Sequence, residues 1–457
     1  MRRTSEIHLS RTICRTLLVC TFVGCGAETE LNVESDPAAI ELSSQAFILP
    51  SVTAPAVGRD PSTGMLLVAY TKVVSGQRDI FTRLMNANGS AAGAEVRITD
   101  ASLEDFDPSV AGGNGQFLVS FTRAFSSSDS DPMGSLVSAS TGNALGVSFN
   151  LDSSSNTLHG DVHAVFIPSQ TRFLSVFRSE TVIFSKEVLT SGASQNQQTV
   201  ATRPNSAGVR RLTLAHSPTS LRLLLGWTNV RTESVELATR LTTETVWSNP
   251  SQTTWPQRSS CSDSLGPVSD RPNCLAQGEF VSVAFNAGKF GVAFGNDSNV
   301  GANVQAVLLP ETCRPGPGNC TATLSRKCAS STGCVETNKL FDANDPATPA
   351  NSLGSVAIAG ANQNFAIAFL HEQGSPDGGR LSVVGMNGTG QMLATSVVAT
   401  QPSAVKDPFI MNASLVNNGN QAALSYRLTF DTIASTPVQL AVMNDQGSVF
   451  SAQAVSP

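Results

Sequence analysis

Phe173-Leu174-Ser175-Val176-Phe177 is an apolar run with an aromatic at each end, and the chain repeats it. Its equivalents are Met65-Leu66-Leu67-Val68-Ala69-Tyr70, Phe117-Leu118-Val119-Ser120-Phe121, Leu223-Leu224-Leu225-Gly226-Trp227, Phe290-Gly291-Val292-Ala293-Phe294, Phe365-Ala366-Ile367-Ala368-Phe369 and Ala422-Ala423-Leu424-Ser425-Tyr426, seven copies in all. Each run is short, apolar on both faces and bounded by turn residues, which marks a buried strand. No stretch sustains helical spacing.

A strand of small and branched residues precedes each copy: Ala56-Val57, Ser109-Val110-Ala111, Ala164-Val165-Phe166, Leu212 with Leu214, Val281 with Val283 and Phe285, Val356 with Ile358, and Ala413 with Leu415. After each closing aromatic come a polar loop, a third strand, a turn and a fourth strand. Asn86-Ala87-Asn88-Gly89, Met386-Asn387-Gly388-Thr389-Gly390 and Asn444-Asp445-Gln446-Gly447 supply the positive φ that such hairpins need. Successive aromatics lie 51, 56, 50, 67, 75 and 57 residues apart, the spacing of four-stranded units that carry insertions.

A sheet with two apolar faces cannot bury both alone, so such units pack radially around an axis. The predicted fold is all-β: a single β-propeller over residues 45–457, with seven four-stranded blades and a range of six to eight. In this the chain resembles the uncharacterised secreted bacterial β-propeller repeat lipoproteins. Two β-sandwiches side by side would use similar strands. An outer-membrane barrel fits less well, because the second strands are apolar on both faces and do not alternate. Ile40-Glu41-Leu42-Ser43-Ser44 and the segment from Ser448 to Val455 are both candidates for the strand that closes the ring.

The N-terminus carries Arg2, Arg3, Arg11 and Arg15 before the apolar run Thr16 to Val23, which is too short to span a bilayer. Phe22-Val23-Gly24-Cys25 resembles the lipobox of bacterial lipoproteins, although Phe22 stands where Leu is usual. The resemblance implies a signal peptide over 1–24, a lipid on Cys25, an acidic tether over 25–44 and, with Gly26 next, an outer-membrane address on the periplasmic side or the cell surface. A plain secretory signal is the alternative. Cleavage before Cys25 removes four Arg and one Glu and takes the net charge from −6 to −9. That balance argues against a nucleic-acid partner. Charged residues are only 14% of the chain, so the polar surface is mostly neutral and hydrogen-bonding.

Six further cysteines fall in two insertions, at about 255–278 and 311–335: Cys261, Cys274, Cys313, Cys320, Cys328 and Cys334. An even number in an exported chain points to disulfides. The repeat map puts the first two on one face and the other four on the opposite face, so Cys261 pairs with Cys274. Cys313 with Cys320 and Cys328 with Cys334 are the favoured pairings within the second group. A zinc site is the alternative, but the spacings lack zinc knuckles.

The loops from fourth to first strand and from second to third share one face. That face collects Glu104, Asp105, Asp107, Asp129, Asp131, Asp161, Glu372, Asp377 and Asp407, together with His159, His163 and His371. Asp107, Asp161, His163, His371 and Asp407 define the candidate face for a ligand or a calcium ion, and His159, Asp161 and His163 are the candidate metal ligands. The bland reading of each is a turn residue that bonds its own backbone. G-x-S-x-G, H-E-x-x-H and P-loop motifs are absent. Tyr70 and Tyr426, the only tyrosines, sit where the repeat demands a packed aromatic. The expectation is a monomeric, lipid-anchored, non-enzymatic binding or scaffold propeller for a protein or glycan ligand. The alternative is a polysaccharide hydrolase or lyase with carboxylates at the channel mouth.

Overall fold

The computed structural model describes residues 55–99, 102–152, 157–179, 182–202, 209–229, 234–248, 251–252, 281–298, 301–312, 338–339, 350–373, 379–400, 412–427 and 438–455, all within the unit Ala46–Pro457. They form seven antiparallel sheets of four strands, each in sequence order from first to fourth. The protein is a seven-bladed β-propeller, and all seven predicted second strands are the second strands of blades. Cys25, the six later cysteines, Asp377 and Asp407 lie outside the described residues, as do the predicted signal and tether.

The first strands are Ala56–Arg59, Glu104–Gly113, Gly160–Ile167, Val209–Ser217, Val281–Asn286, Ala350–Ala361 and Asn412–Asn418. Each packs against the first strands on either side, and the last packs against the first, so the ring is closed. The core is layered to match. Seven apolar clusters each join two consecutive blades, and the one between blades seven and one sets Val57, Val68, Tyr70 and Phe81 against Ala423, Val438, Leu440 and Val455. Tyr70, Phe121, Phe177, Trp227, Phe294, Phe369 and Tyr426 are all buried, because each closes a second strand that is covered on both faces.

Blade seven draws all four strands from the C-terminal part of the chain, with Val449–Ala454 as the fourth. Closure between blades seven and one therefore rests on side chains. Arg427 Nη2 donates to the Thr71 carbonyl (3.1 Å), Asn418 Nδ2 to the Ala87 carbonyl (2.6 Å) and Arg83 Nη1 to the Val455 carbonyl (2.6 Å).

A second seam lies along the first strands. The residues paired with Ala69, Ser120, Val176, Gly226, Ala293, Ala368 and Ser425 are Ala56, Ser109, His163, Thr213, Ser282, Ala357 and Ser414, small or hydroxylic in six blades of seven. Where a hydroxyl is present it can accept the next blade's N–H. Thr213 Oγ1 accepts from Val283 (3.1 Å), Ser282 Oγ from Ile358 (3.2 Å) and Ser414 Oγ from Val57 (3.3 Å). These bonds satisfy amides that point across a blade boundary, where no ladder partner exists.

The second strands run past their aromatics in several blades, as in Leu66–Val74 and Gln116–Ser126, where a polar loop is expected. In blade one the cause is Ser75-Gly76, both at positive φ (53° and 86°) between the paired residues Val74 and Gln77. A two-residue turn of this hand continues the ladder to its tip.

First strands approach one another too closely for side chains at certain points. A Cβ on Gly112 would lie 2.2 Å from the Arg59 carbonyl oxygen. Gly112→Ala should therefore lower the unfolding free energy by about 1–3 kcal/mol in urea denaturation. An unchanged midpoint would contradict this packing distance.

Candidate functional site

The seven first strands wall a central cavity of about 690 Å³, within the usual range for small-ligand sites. In blades five, six and seven the aromatic that closes the second strand faces a single first-strand residue: Val281 opposite Phe294, Val356 opposite Phe369 and Ala413 opposite Tyr426. In blades two, three and four it faces two. The register slips so that Asp107-Pro108 lie opposite Phe121, Asp161-Val162 opposite Phe177 and Arg211-Leu212 opposite Trp227. These are β-bulges, which bend a strand and re-aim its side chains.

The first residue of each bulge holds a left-handed backbone, with φ of 53° at Asp107, 51° at Asp161 and 59° at Arg211. That conformation costs an L-residue about 1–2 kcal/mol, less for Asp, whose short side chain bonds locally. Three consecutive blades thus carry strain at the same place, each with a charged residue on the cavity wall. Strain repeated at equivalent positions in a cavity is a pointer to function.

The charges at this mouth interact. Arg178 is ion-paired with Asp161, and Arg78 with Glu104. Asp107 makes no hydrogen bond to another described residue. Burial among protein atoms pushes its carboxyl up to about 6, and the Asp161 charge pushes the same way, against Arg211, Arg78 and Arg178. Asp107 is half-buried and lines the cavity. His163 takes the position that is small or hydroxylic in the other blades. Its Nδ1 is buried with no hydrogen-bond partner among the described residues, and burial lowers its imidazole to about 4. At neutral pH it lines the wall uncharged.

The other predicted residues separate. His159, fully buried, latches blade two to blade three: its Nδ1–H donates to the Ser130 carbonyl (2.8 Å), its amide to Ser130 Oγ (3.0 Å), and its ring meets Phe177 edge-on. Its Nε2 lies 3.2 Å from Asp152 Oδ2. Asp161 and His163 turn instead to the cavity, so the three candidate metal ligands do not converge. Among the described residues no group of three or more His, Cys, Asp or Glu is arranged to hold a metal ion. Asp105 closes a bidentate pair with Arg123 (2.7 and 2.9 Å). Asp131 packs beside His159, where burial raises it to about 6. His371 and Glu372 belong to the strand Asn364–Gln373, with their side chains outside the described set.

Arg211, Arg78, Arg178 and His216 are site residues that sequence reasoning did not single out. His216 lies five residues beyond Arg211 on the same wall, buried at Nε2 and lowered to about 4. A charged residue two places before the small or hydroxylic position was the available signal.

No family model and no curated protein matches the chain. Several solved structures share its general form. A post-proline cleaving enzyme from Rickettsia typhi is 9% identical, with a TM-score of 0.46, over 91% of this chain and 54% of that one. A Trypanosoma rangeli sialidase is 9% identical, with a TM-score of 0.39, over 86% and 54%. The fucose-specific lectin of Aleuria aurantia is 10% identical, with a TM-score of 0.40, over 89% and 96%. The chain spans about half the length of the prolyl-endopeptidase-type structures. Likeness this low carries no chemistry from those proteins to this one.

Two predictions follow from strain and titration. Arg211 is exposed, so Arg211→Gly relieves the left-handed backbone at little loss of packing and should leave stability equal or higher, whereas Arg211→Val should lose about 1–2 kcal/mol. Equal losses in chemical denaturation would rule out strain at this position. Asp107 has a native value above its unfolded one, so between about pH 4 and 6 it makes stability fall as pH rises. His163 has a native value below its unfolded one, so from about pH 4 to 6.5 it makes stability rise. Asp107→Asn should therefore raise stability at neutral pH relative to about pH 4.5, and His163→Gln should do the reverse, each by about 1–2 kcal/mol after allowance for water in the channel. Denaturation midpoints at the two pH values would check both signs.

Proposed function

We propose that this protein is an exported propeller, held at the outer membrane by lipid on Cys25, that binds a ligand at one side of its channel mouth without turning it over. The observation that carries the binding reading is the run of three strained bulge residues, Asp107, Asp161 and Arg211, on consecutive blades. A structural ring has no use for strain at one side only. The ligand is a glycan or a protein segment narrow enough to enter the mouth. A glycan array and a peptide library probed with the mature chain would test this: Asp161→Ala should lose at least tenfold in affinity for whatever binds wild type, and retained affinity would remove the mouth from the site.

A specific observation favours hydrolysis as the second reading. The two acids have unequal environments, Asp161 paired with Arg178 and Asp107 raised to about 6, and such a division of roles suits acid–base chemistry. A hydrolysis screen on diverse polysaccharides decides between the readings: turnover abolished in Asp107→Asn would replace binding by catalysis. For the address, labelled palmitate should enter the wild-type chain and not Cys25→Ser.

A further inference from the structure

The far end of the channel carries a different chemistry from the bulges. Arg59 pairs with Leu66, four places before the aromatic Tyr70, so it stands about 13 Å along the strand from the level of the closing aromatics. At the equivalent level the cavity is lined by Phe166, His216, Phe285 and Asn417 in blades three, four, five and seven, and by glycine in blades two and six. In a closed ring of seven, blade one faces blades four and five. The residues across the channel from Arg59 are therefore His216, whose imidazole burial keeps uncharged at neutral pH, and Phe285.

Among the described residues Arg59 has no hydrogen bond from its guanidinium and no ion pair, and its Nε is buried. Arg240 and Arg427 also have a buried Nε without a partner, but their terminal nitrogens are held by Gln198 and by the Thr71 carbonyl. Asp60, next in the chain, is committed to the turn that follows, where it accepts from Ser62 Oγ and Thr63 Oγ1, each at 2.7 Å. The lining acids Asp107 and Asp161 stand at the level of the bulges. Arg59 Nη2 lies instead at a turn of blade seven, 3.9 Å from where a Cβ on Gly419 would be. In that turn Asn417 Oδ1 accepts from the Gly419 amide (2.8 Å), and its Nδ2 is a second donor on the cavity wall. A guanidinium drawn partly out of water with no acceptor is costly, and calls for a group that the chain does not supply.

We propose that this end of the channel is a second binding site, for a singly charged oxyanion, carboxylate or sulfate ester, borne on a flat apolar body. Arg59 offers the planar fork that an oxyanion fits, and the Asn417 amide adds a neutral donor. One positive charge matches one negative charge, whereas a dianion would leave a charge unpaired among apolar and neutral walls. Phe166 and Phe285 are half-buried, with rings set by Phe173 (5.0 Å between centroids) and Phe290 (5.2 Å), and they supply the apolar surface for the body. A cation is repelled by Arg59, and an uncharged ligand leaves the guanidinium without its acceptor. The site is separate from the mouth and stands whether or not the mouth takes a ligand.

Calorimetry on the full chain at neutral pH with phenylacetate and phenyl sulfate tests this, with acetate, benzyl alcohol and phenyl phosphate as comparison probes. At least one of the two aromatic monoanions should bind, and acetate and benzyl alcohol should each bind at least about tenfold more weakly. The tighter of phenylacetate and phenyl sulfate identifies the oxyanion. Arg59→Gln should lose at least about tenfold in affinity. Asn417→Asp, nearly isosteric, should lose as much, because its carboxylate occupies the guanidinium, while the urea midpoint stays equal or rises. If Arg59→Gln does not fold, Asn417→Asp alone decides. Affinity kept in the variants overturns the site. Benzyl alcohol as tight as phenylacetate removes the charge from recognition, acetate as tight removes the apolar body, and phenyl phosphate tightest of all refutes the single charge. Asp161→Ala weakening phenylacetate as much as Arg59→Gln would move the anion to the mouth and sink the far-end site. Binding of no probe near about 10 mM, where even weak millimolar sites fill, leaves Arg59 a hydrated cation and overturns the proposal.

Discussion

A four-stranded sheet that is apolar on both faces has no stable state alone, and everything else in this protein follows from how that is resolved. Each blade buries one face on the blade before it and the other on the blade after, so the molecule has seven equivalent interfaces and no single central core. Burial is proportional to apolar area and indifferent to direction. The layers therefore need something else to fix the ring: the hydroxyls of Thr213, Ser282 and Ser414, which accept amides from the next blade. The last interface, between blades seven and one, is covered by the same kind of apolar cluster and by arginine and asparagine side chains that reach across to backbone carbonyls.

Crowding at the axis is the second consequence. First strands must be narrow to meet around a channel, which is why small residues recur there and why Gly112 sits against the Arg59 backbone. An extra residue in such a strand cannot be absorbed by sliding, since a shift of one flips every side chain to the other face. In blades two to four the extra residue is absorbed as a bulge with one left-handed residue, and the rest of the strand keeps its register. The bulge is thus the one way to project a charged side chain at the axis without losing the interface behind it.

The sequence made the second strands legible because each is continuous, apolar and closed by an aromatic. The seven buried aromatics have the packing role that the repeat demanded. Asp107, Asp161 and His163 were visible as acids and a histidine on one face, and the structure places all three on the cavity wall. His159 was grouped with them by proximity in sequence, yet the bulge at Asp161 sends it to the other side of the strand, into the latch with Ser130. Arg211 escaped notice because an Arg-Arg pair ahead of a strand reads as solvated charge. Its role depends on a register slip of one residue, and apolar periodicity carries no mark of such a slip when the first strands are built of small and mixed residues. Arg78 and Arg178 escaped for a different reason: their partners Glu104 and Asp161 come from other strands, and pairing across strands is set by the fold.

Seven copies of one unit would give a mouth with sevenfold equivalent surroundings, suited to nothing with a direction. Here the charged bulges occupy three neighbouring blades, while the first strands of blades five and six meet the cavity with Val281, Val283, Val356 and Ile358. A ligand entering would find guanidinium and carboxyl groups on one side and branched aliphatic surface on the other. That asymmetry gives the cavity a direction, with charged groups on blades two to four and branched aliphatic side chains on five and six.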